Sequence, residues 1–200
     1  TFTITVSSWE ENFNSYTLGQ RLDGSPDDGG WEGWDNNPAA GGTVSNDYFR
    51  SSPYSDMVTG QNDNVHQYFG YTSGKFVYTA WQYLPTNYTG QTYFILMSAY
   101  IAGGAKDWAL QMEFNNAQNV VKPYMYGSGS LPLIKGQWVE LRTVMDTTSQ
   151  TWTFYYGGQL LCTYTAGNVH GIAAVDLWSN GASNVYYDDI SLKPALTLTT

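Results

Sequence analysis

Apolar and polar residues alternate at a period of two over most of this chain, and the 3.6-residue period of a helix is never sustained for three turns. The clearest stretch lies in the C-terminal third. In KGQWVELRTVMD, Val139, Leu141 and Thr143 share a face, followed by Val144 or Met145. After the polar turn TTSQ, Trp152, Phe154 and Tyr156 repeat the pattern. Successive side chains of a strand point to opposite faces, so two such runs across a short turn predict an antiparallel hairpin with one buried face. GKFVYTAWQYLP places Phe76, Tyr78, Ala80 and Gln82 on one face and Val77, Thr79, Trp81 and Tyr83 on the other. Aromatic residues on both faces predict a central strand. Further strands are expected in YFRSSP, SDMVTG, NVHQYFGY, TYFILMSAYIA, WALQMEFNN, VVKPYMY, QLLCTYT and YYDDISL.

Two regions break the pattern. Residues 23–47 are rich in Gly, Asp, Asn and Pro and read as one long loop. Trp31 and Trp34 within it argue against disorder, and loops of that length in a compact domain commonly carry function. The ends are the other region. TFTITV alternates strictly, with Phe2, Ile4 and Val6 on one face, and the chain closes on a second Thr-rich run, ALTLTT.

Two hundred residues suit a single domain spanning 1–200, with its core at about 11–192 and strand-like extensions at 1–6 and 195–200. Aromatic residues make up 16% and charged residues 12% of the chain, a balance that favours broad pleated surfaces and stacking platforms over ionic ones. The net charge is −9 and the eight Lys and Arg residues are scattered, which argues against nucleic acid and anionic membrane as partners. No run is long enough to span a membrane. Cys162 is alone, so no internal disulfide forms, and its apolar run predicts a buried small hydrophobe. The chain opens on Thr1 rather than Met, which suggests an excised or processed segment. Its Tyr, Asn, Gly, Ser and Thr content, with the sequon Asn87-Tyr88-Thr89, points to the cell surface or the extracellular space.

The order of the C-terminal segments resembles that of concanavalin A-like sandwich domains, the superfamily of laminin G-like modules, lectins and some glucanases. The segment around Glu11, Asn12, Phe13, Asn14, Ser15, Tyr16 and Gly19 resembles the D-F-E-S-Y-x-x-G opening of secreted bacterial members, with Asn12 and Asn14 where that pattern is acidic. The resemblance implies an all-β fold, a two-sheet antiparallel jelly-roll β-sandwich. It also implies a structural calcium ion held by the final strand and the N-terminal strand, here Asp188 and Asp189 with Glu10, Glu11 and Asn12. The competing reading is that both Asp residues bind loop amides. Glucanases of this fold carry E-x-D-x-x-E on one strand, and no such run exists. Alginate lyases of the fold use an Arg-Glu-Arg strand, of which VELR is only a fragment. Glu113, Glu140 and Arg142 are the residual catalytic candidates.

The loop WEGWDNNP offers a binding site. Indole faces meet the apolar C–H faces of sugars, and Asp35, Asn36 and Asn37 supply acceptors and donors for vicinal hydroxyls beside Trp31 and Trp34. Alternatively, one of the two Trp residues plugs the end of the sandwich. NDN at 62–64 lacks the spacing of a calcium loop, and His66 and His170 have no partner pattern for zinc or a nucleophilic triad. The first functional expectation is a secreted or cell-surface, non-catalytic module that binds a glycan or surface polymer. The second is a subunit of an extracellular filament, a homopolymer in which Phe2, Ile4 and Val6 complete the sheet of the next copy. The third is a polysaccharide-cleaving enzyme.

Overall fold

The computed structural model describes residues 8–165 and 171–195, and within them the chain is almost entirely strand. In chain order the first strands are β1 (Trp9–Glu11), β2 (Arg21–Leu22), β3 (Trp31–Gly33), β4 (Gly42–Ser45), β5 (Ser55–Gly60), β6 (Asp63–Gln67), β7 (Lys75–Tyr83) and β8 (Gln91–Tyr100). They are followed by β9 (Lys106–Asn115), β10 (Val120–Pro123), β11 (Leu131–Pro132), β12 (Trp138–Asp146), β13 (Thr151–Tyr156), β14 (Gln159–Thr165), β15 (Ala174–Asn180) and β16 (Ala182–Pro194). Two short 3-10 turns, Trp34–Asn36 and Pro38–Ala40, interrupt them.

Among the described residues the strands form two antiparallel sheets. The larger runs β14-β13-β12-β7-β16-β5-β4-β2, and the smaller runs β11-β10-β9-β8-β15-β6-β3. β16 is the hub of the larger sheet. It pairs with β7 along one edge, and with β5 and then β1 along the other. The fold is the jelly-roll sandwich that the alternation implies.

The predicted hairpin forms from β12 and β13, with Leu141 opposite Tyr156 and Met145 opposite Trp152. Asp146 fixes its turn by accepting from the Thr148 amide at 2.9 Å and the Ser149 amide at 3.2 Å. Leu141, Trp152 and Phe154 enter the core between the sheets, where they meet Tyr78 from β7 and Phe94 and Leu96 from β8. β7 is central, as its two aromatic faces imply, lying between β12 and β16.

Residues 23–47 are not a single loop. They contain β3 and β4, tied into different sheets. The turn between β2 and β3 is built on buried Asp28, whose Oδ2 accepts from the amides of Asp23, Gly24 and Ser25 while Oδ1 accepts from Gln20. YFRSSP, expected as a strand, is a loop that lies against β16. Phe2, Ile4 and Val6, the extension at 196–200 and His170 lie outside the described residues.

β8 decides where a site can form. Its alternate residues Phe94 and Leu96 face the core, while Tyr93, Ile95 and Met97 belong to a second apolar cluster with Val65, Tyr100 and Ala174. That second cluster covers the outer face of the smaller sheet. An outer face this apolar needs cover, and Trp34 and Trp178 pack on it.

Candidate functional site

Each of the four carboxylates expected to hold calcium meets protein donors. β16 carries a bulge between Asp188 and Ser191, and Asp189 sits there with φ of 45°. Asp188 is buried beneath the 50–51 loop. Its Oδ2 accepts from the amides of Arg50 and Ser51 at 2.7 and 2.8 Å, and its Oδ1 from the Asp189 amide at 2.7 Å. Burial pushes its carboxyl up to about 6, against the pull of those amides. Asp189 pairs with the Arg50 guanidinium, and Glu10 with Lys193. Glu11 accepts from the amides of Asn12 and Phe13 and from the Tyr16 hydroxyl. Calcium takes six to eight oxygens, and both oxygens of Asp188 and of Glu11 are already engaged by donors. Among the described residues no three Asp, Glu, His or Cys side chains gather as metal ligands. The loop-amide alternative describes Asp188.

The paired loop tryptophans separate. Trp31, on β3, is fully buried against Phe13 and His66, with ring centroids at 5.5 and 5.2 Å. It plugs the sandwich and is not placed to meet a ligand. The reason is strand alternation: Trp31 and Gly33 point inward, while Glu32 points out. Trp34 lies past the end of β3 and turns onto the outer face of the smaller sheet. There it stacks on Trp108 at 6.1 Å and packs edge-on against Tyr100 at 5.3 Å.

Asp35 and Asn36 accompany it with φ of 55° and 58°, a conformation that Asn and Asp tolerate better than most residues. Asp35 takes the Lys106 ammonium at 2.6 Å and the Gly103 amide at 2.7 Å, and Lys106 above all holds its carboxyl below the usual range. The Tyr100 hydroxyl accepts from the Asp35 amide. Asn37 is a structural cap, accepting from the Ala39 amide, and Asn36 is exposed beside it.

Beyond Trp34 the face carries a row of side chains contributed by five neighbouring strands. Asp63 of β6 lies opposite Trp178 of β15, which lies opposite Tyr93 of β8. Tyr93 lies opposite Glu113 of β9, and Glu113 opposite Lys122 of β10. Cross-strand neighbours of this kind touch. Trp178 and Tyr93 stack with centroids 4.8 Å apart, and Tyr124 meets Tyr93 edge-on at 5.4 Å. Glu113 accepts from Asn115 at 2.7 Å and lies 3.7 Å from Lys122.

Asp176 stands two residues before Trp178, on the same face and diagonal to Asp63. Trp34, Trp108, Trp178, Asp63, Asp176 and Gln111 line a cavity of about 280 Å³. Asp176 is only 2% exposed, and among the described residues Oδ1 of Asp176 and Oδ1 of Asp63 have no donor. Burial pushes Asp176 well above the ordinary carboxylate range, with the Asp63 charge as the next cause. Burial raises Asp63 too, with help from Asp35. Two carboxyl groups within hydrogen-bonding reach in so dry a place disfavour each other's charged form.

Of the residues around this cavity the sequence singles out Trp34 and Asp35 as binding candidates, and not Asp63, Asp176, Trp108 or Trp178. The pair Asp176 and Trp178 was detectable: an acid and an indole at i and i+2 share one face of an otherwise apolar strand. Glu113 joins this face. Glu140 and Arg142 do not, because they point outward from the larger sheet on the opposite side of the sandwich, so Glu113 stays apart from them. Arg142 lies 3.8 Å from Glu140 and over the Tyr155 ring at 3.9 Å.

No family model matches the sequence, and no curated protein matches it. Solved structures do match the fold. One is a sialidase, at a TM-score of 0.63 and 8% identity, over 94% of this chain and 18% of the sialidase chain. This chain therefore spans about a fifth of that protein. Another is an alginate lyase solved with an alginate tetrasaccharide, at 0.60 and 13% identity, covering 96% of this chain and 99% of that one. A third is the carbohydrate-binding module CBM66 from Bacillus subtilis, at 0.53 and 10% identity, covering 82% and 95%. At these identities the likeness is one of fold. Among the described residues no helix is long and apolar enough to cross a membrane.

Proposed function

We propose that the chain is a non-catalytic glycan-binding module, acting outside the cell or at its surface, and that the outer face of the smaller sheet is its binding face. The observation that carries this reading is the walled cavity itself. Three indoles surround buried carboxyl oxygens that have no donor among the described residues, and a row of polar groups continues beside them. Apolar walls with a few fixed polar groups are what ligand sites are made of. Stacked aromatic faces suit the C–H faces of pyranose rings, and carboxylates accept from hydroxyls. Proteins of the same fold include a carbohydrate-binding module and an alginate lyase, which lends the reading support.

The arrangement of the acids supports binding without hydrolysis. Glycoside hydrolysis places two carboxyl groups at least ~5 Å apart across the scissile bond. Asp63 and Asp176 lie within hydrogen-bonding reach of each other, and Glu113 is committed to Asn115 and Lys122. The test is a polysaccharide panel read by affinity electrophoresis and calorimetry. Trp34→Ala and Trp178→Ala should each lose binding while the melting temperature holds. A wild-type protein that binds no glycan on the panel would sink the reading.

A further inference from the structure

We propose that the floor of this cavity selects an amino sugar, with the protonated amine seated between Asp63 and Asp176. The inference rests on the glycan-binding reading of the same cavity and adds the charge of its ligand. Three observations carry it. First, Asp176 is almost completely buried, lines the cavity and leaves Oδ1 without a donor, as does Asp63. Polar groups in such a place cost free energy until something donates to them, and an ammonium brings three donors and the opposite charge. A neutral hydroxyl brings only a dipole.

Second, the protein's own cations are committed elsewhere. Lys106 is held by Asp35, and Lys122 lies beside Glu113. The charges facing the cavity therefore leave the acid pair uncompensated among the described residues. A uronate would meet repulsion there, on a chain whose net charge is −9. Third, the wall already hosts an ammonium. Lys106 Nζ sits 5.0 Å from the centre of the Trp34 ring and 5.6 Å from that of Tyr100. Indole faces attract cations, and an acid floor under aromatic walls is the chemistry of an ammonium cage. The cavity, at about 280 Å³, lies at the small end of the roughly 300–1,000 Å³ of ligand pockets, so one sugar unit enters it.

The experiment compares three oligomers of equal length on the intact chain at pH 6: a β-1,4-glucosamine hexamer, its fully N-acetylated counterpart and cellohexaose. The glucosamine hexamer should bind about tenfold or more tightly than the other two, as expected for hydrogen bonds to charged groups. Asp63→Asn should erase that preference while leaving the weaker binding of the neutral oligomers in place. Asp176→Asn should do the same, and Asp63→Asn, at the less buried position, keeps the test alive where Asp176→Asn does not fold. Trp34→Ala should weaken all three. Equal binding of amine and acetamide forms, or a preference that survives both Asn variants, would overturn the inference and leave the glycan reading standing. Absence of binding to every oligomer and polysaccharide would remove both. Calcium titration followed by tryptophan fluorescence is the control. Calcium bound in place of the amine, and lost in Asp63→Asn, would reassign the acid pair as a metal site and also overturn the inference.

Discussion

Asp56 offers the sharpest test of how this sandwich spends its stability. It is fully buried on β5, and its Oδ2 accepts from Asn64 Nδ2 at 2.9 Å. Among the described residues Asp56 Oδ1 and Asn64 Oδ1 both lack a donor. A buried carboxylate oxygen without a donor disfavours the charged form of Asp56. Burial above all pushes this carboxyl from 3.8 up to about 7. The folded state then binds more protons than the unfolded state between those two values. Stability contributed by the protonated form is fully present below about pH 4 and is lost as pH rises through about 7. At 1.36 kcal/mol for each pH unit the gap comes to about 4 kcal/mol.

Asp56→Asn keeps the shape, supplies an amide donor and removes the titration. Relative to wild type it should gain stability steadily from pH 4 to pH 8. For a chain of this length about 4 kcal/mol corresponds to a relative shift of about 8–16 °C in melting temperature. Melting curves of both proteins across that range are the assay. His66, which burial pushes down to about 4, acts with the opposite sign because its folded state binds fewer protons than the unfolded state. It is present in both proteins, so the difference between their curves cancels it. A variant that melts at a constant offset from wild type at every pH would refute the reasoning.

Other consequences are simpler to measure. Trp31→Ala should cost about 3–5 kcal/mol in denaturant titration because it empties a fully buried site beside Phe13 and His66, and a near-neutral value would contradict that placement. Cys162 is buried and its thiol is pushed up to about 11, mainly by burial, so alkylating reagents at pH 8 should label it only in denaturant; rapid labelling of the folded protein would count against its burial. Excess chelator should leave the melting curve unchanged because Asp188, Asp189, Glu10 and Glu11 are already held by protein donors; a loss of about 2.7 kcal/mol, the value of a site held at a hundred times its dissociation constant, would show that a metal is bound after all.

The strands were legible because burial on one face writes a period of two into the sequence, as in Leu141, Thr143 and Met145 against Trp152 and Phe154. The outer face of the smaller sheet was not legible for the same reason in reverse. β8 is buried on both faces, so QTYFILMSAY shows no alternation from which an outward set could be picked. The row on that face is assembled by register, with Asp63, Tyr93, Glu113, Lys122 and Trp178 spread over more than a hundred residues and brought side by side only by cross-strand pairing. Trp34 could be singled out by its composition-biased loop. Trp31 could not be told from it, because the end of β3 falls between them. The loop at 48–53 mimicked a strand through Tyr48 and Phe49, yet those residues are exposed and the amides that follow serve Asp188.

The central place of β16 sets the order in which the protein can be built. Among the described residues the block β14-β13-β12-β7 and the block β5-β4-β2 share no strand pairing of their own, and β1 pairs only with β16. A nascent chain therefore carries two open sheet edges until residues 182–194 have been synthesised, and it gains the contacts that join them at the last moment. Unpaired edges of this kind attract other chains, and pairing between distant segments is slow. Folding of the larger sheet is thus tied to the end of this segment's synthesis rather than to its beginning. A ribosome-held chain ending before residue 182 should bind chaperones persistently, and one extended past residue 194 should let them go.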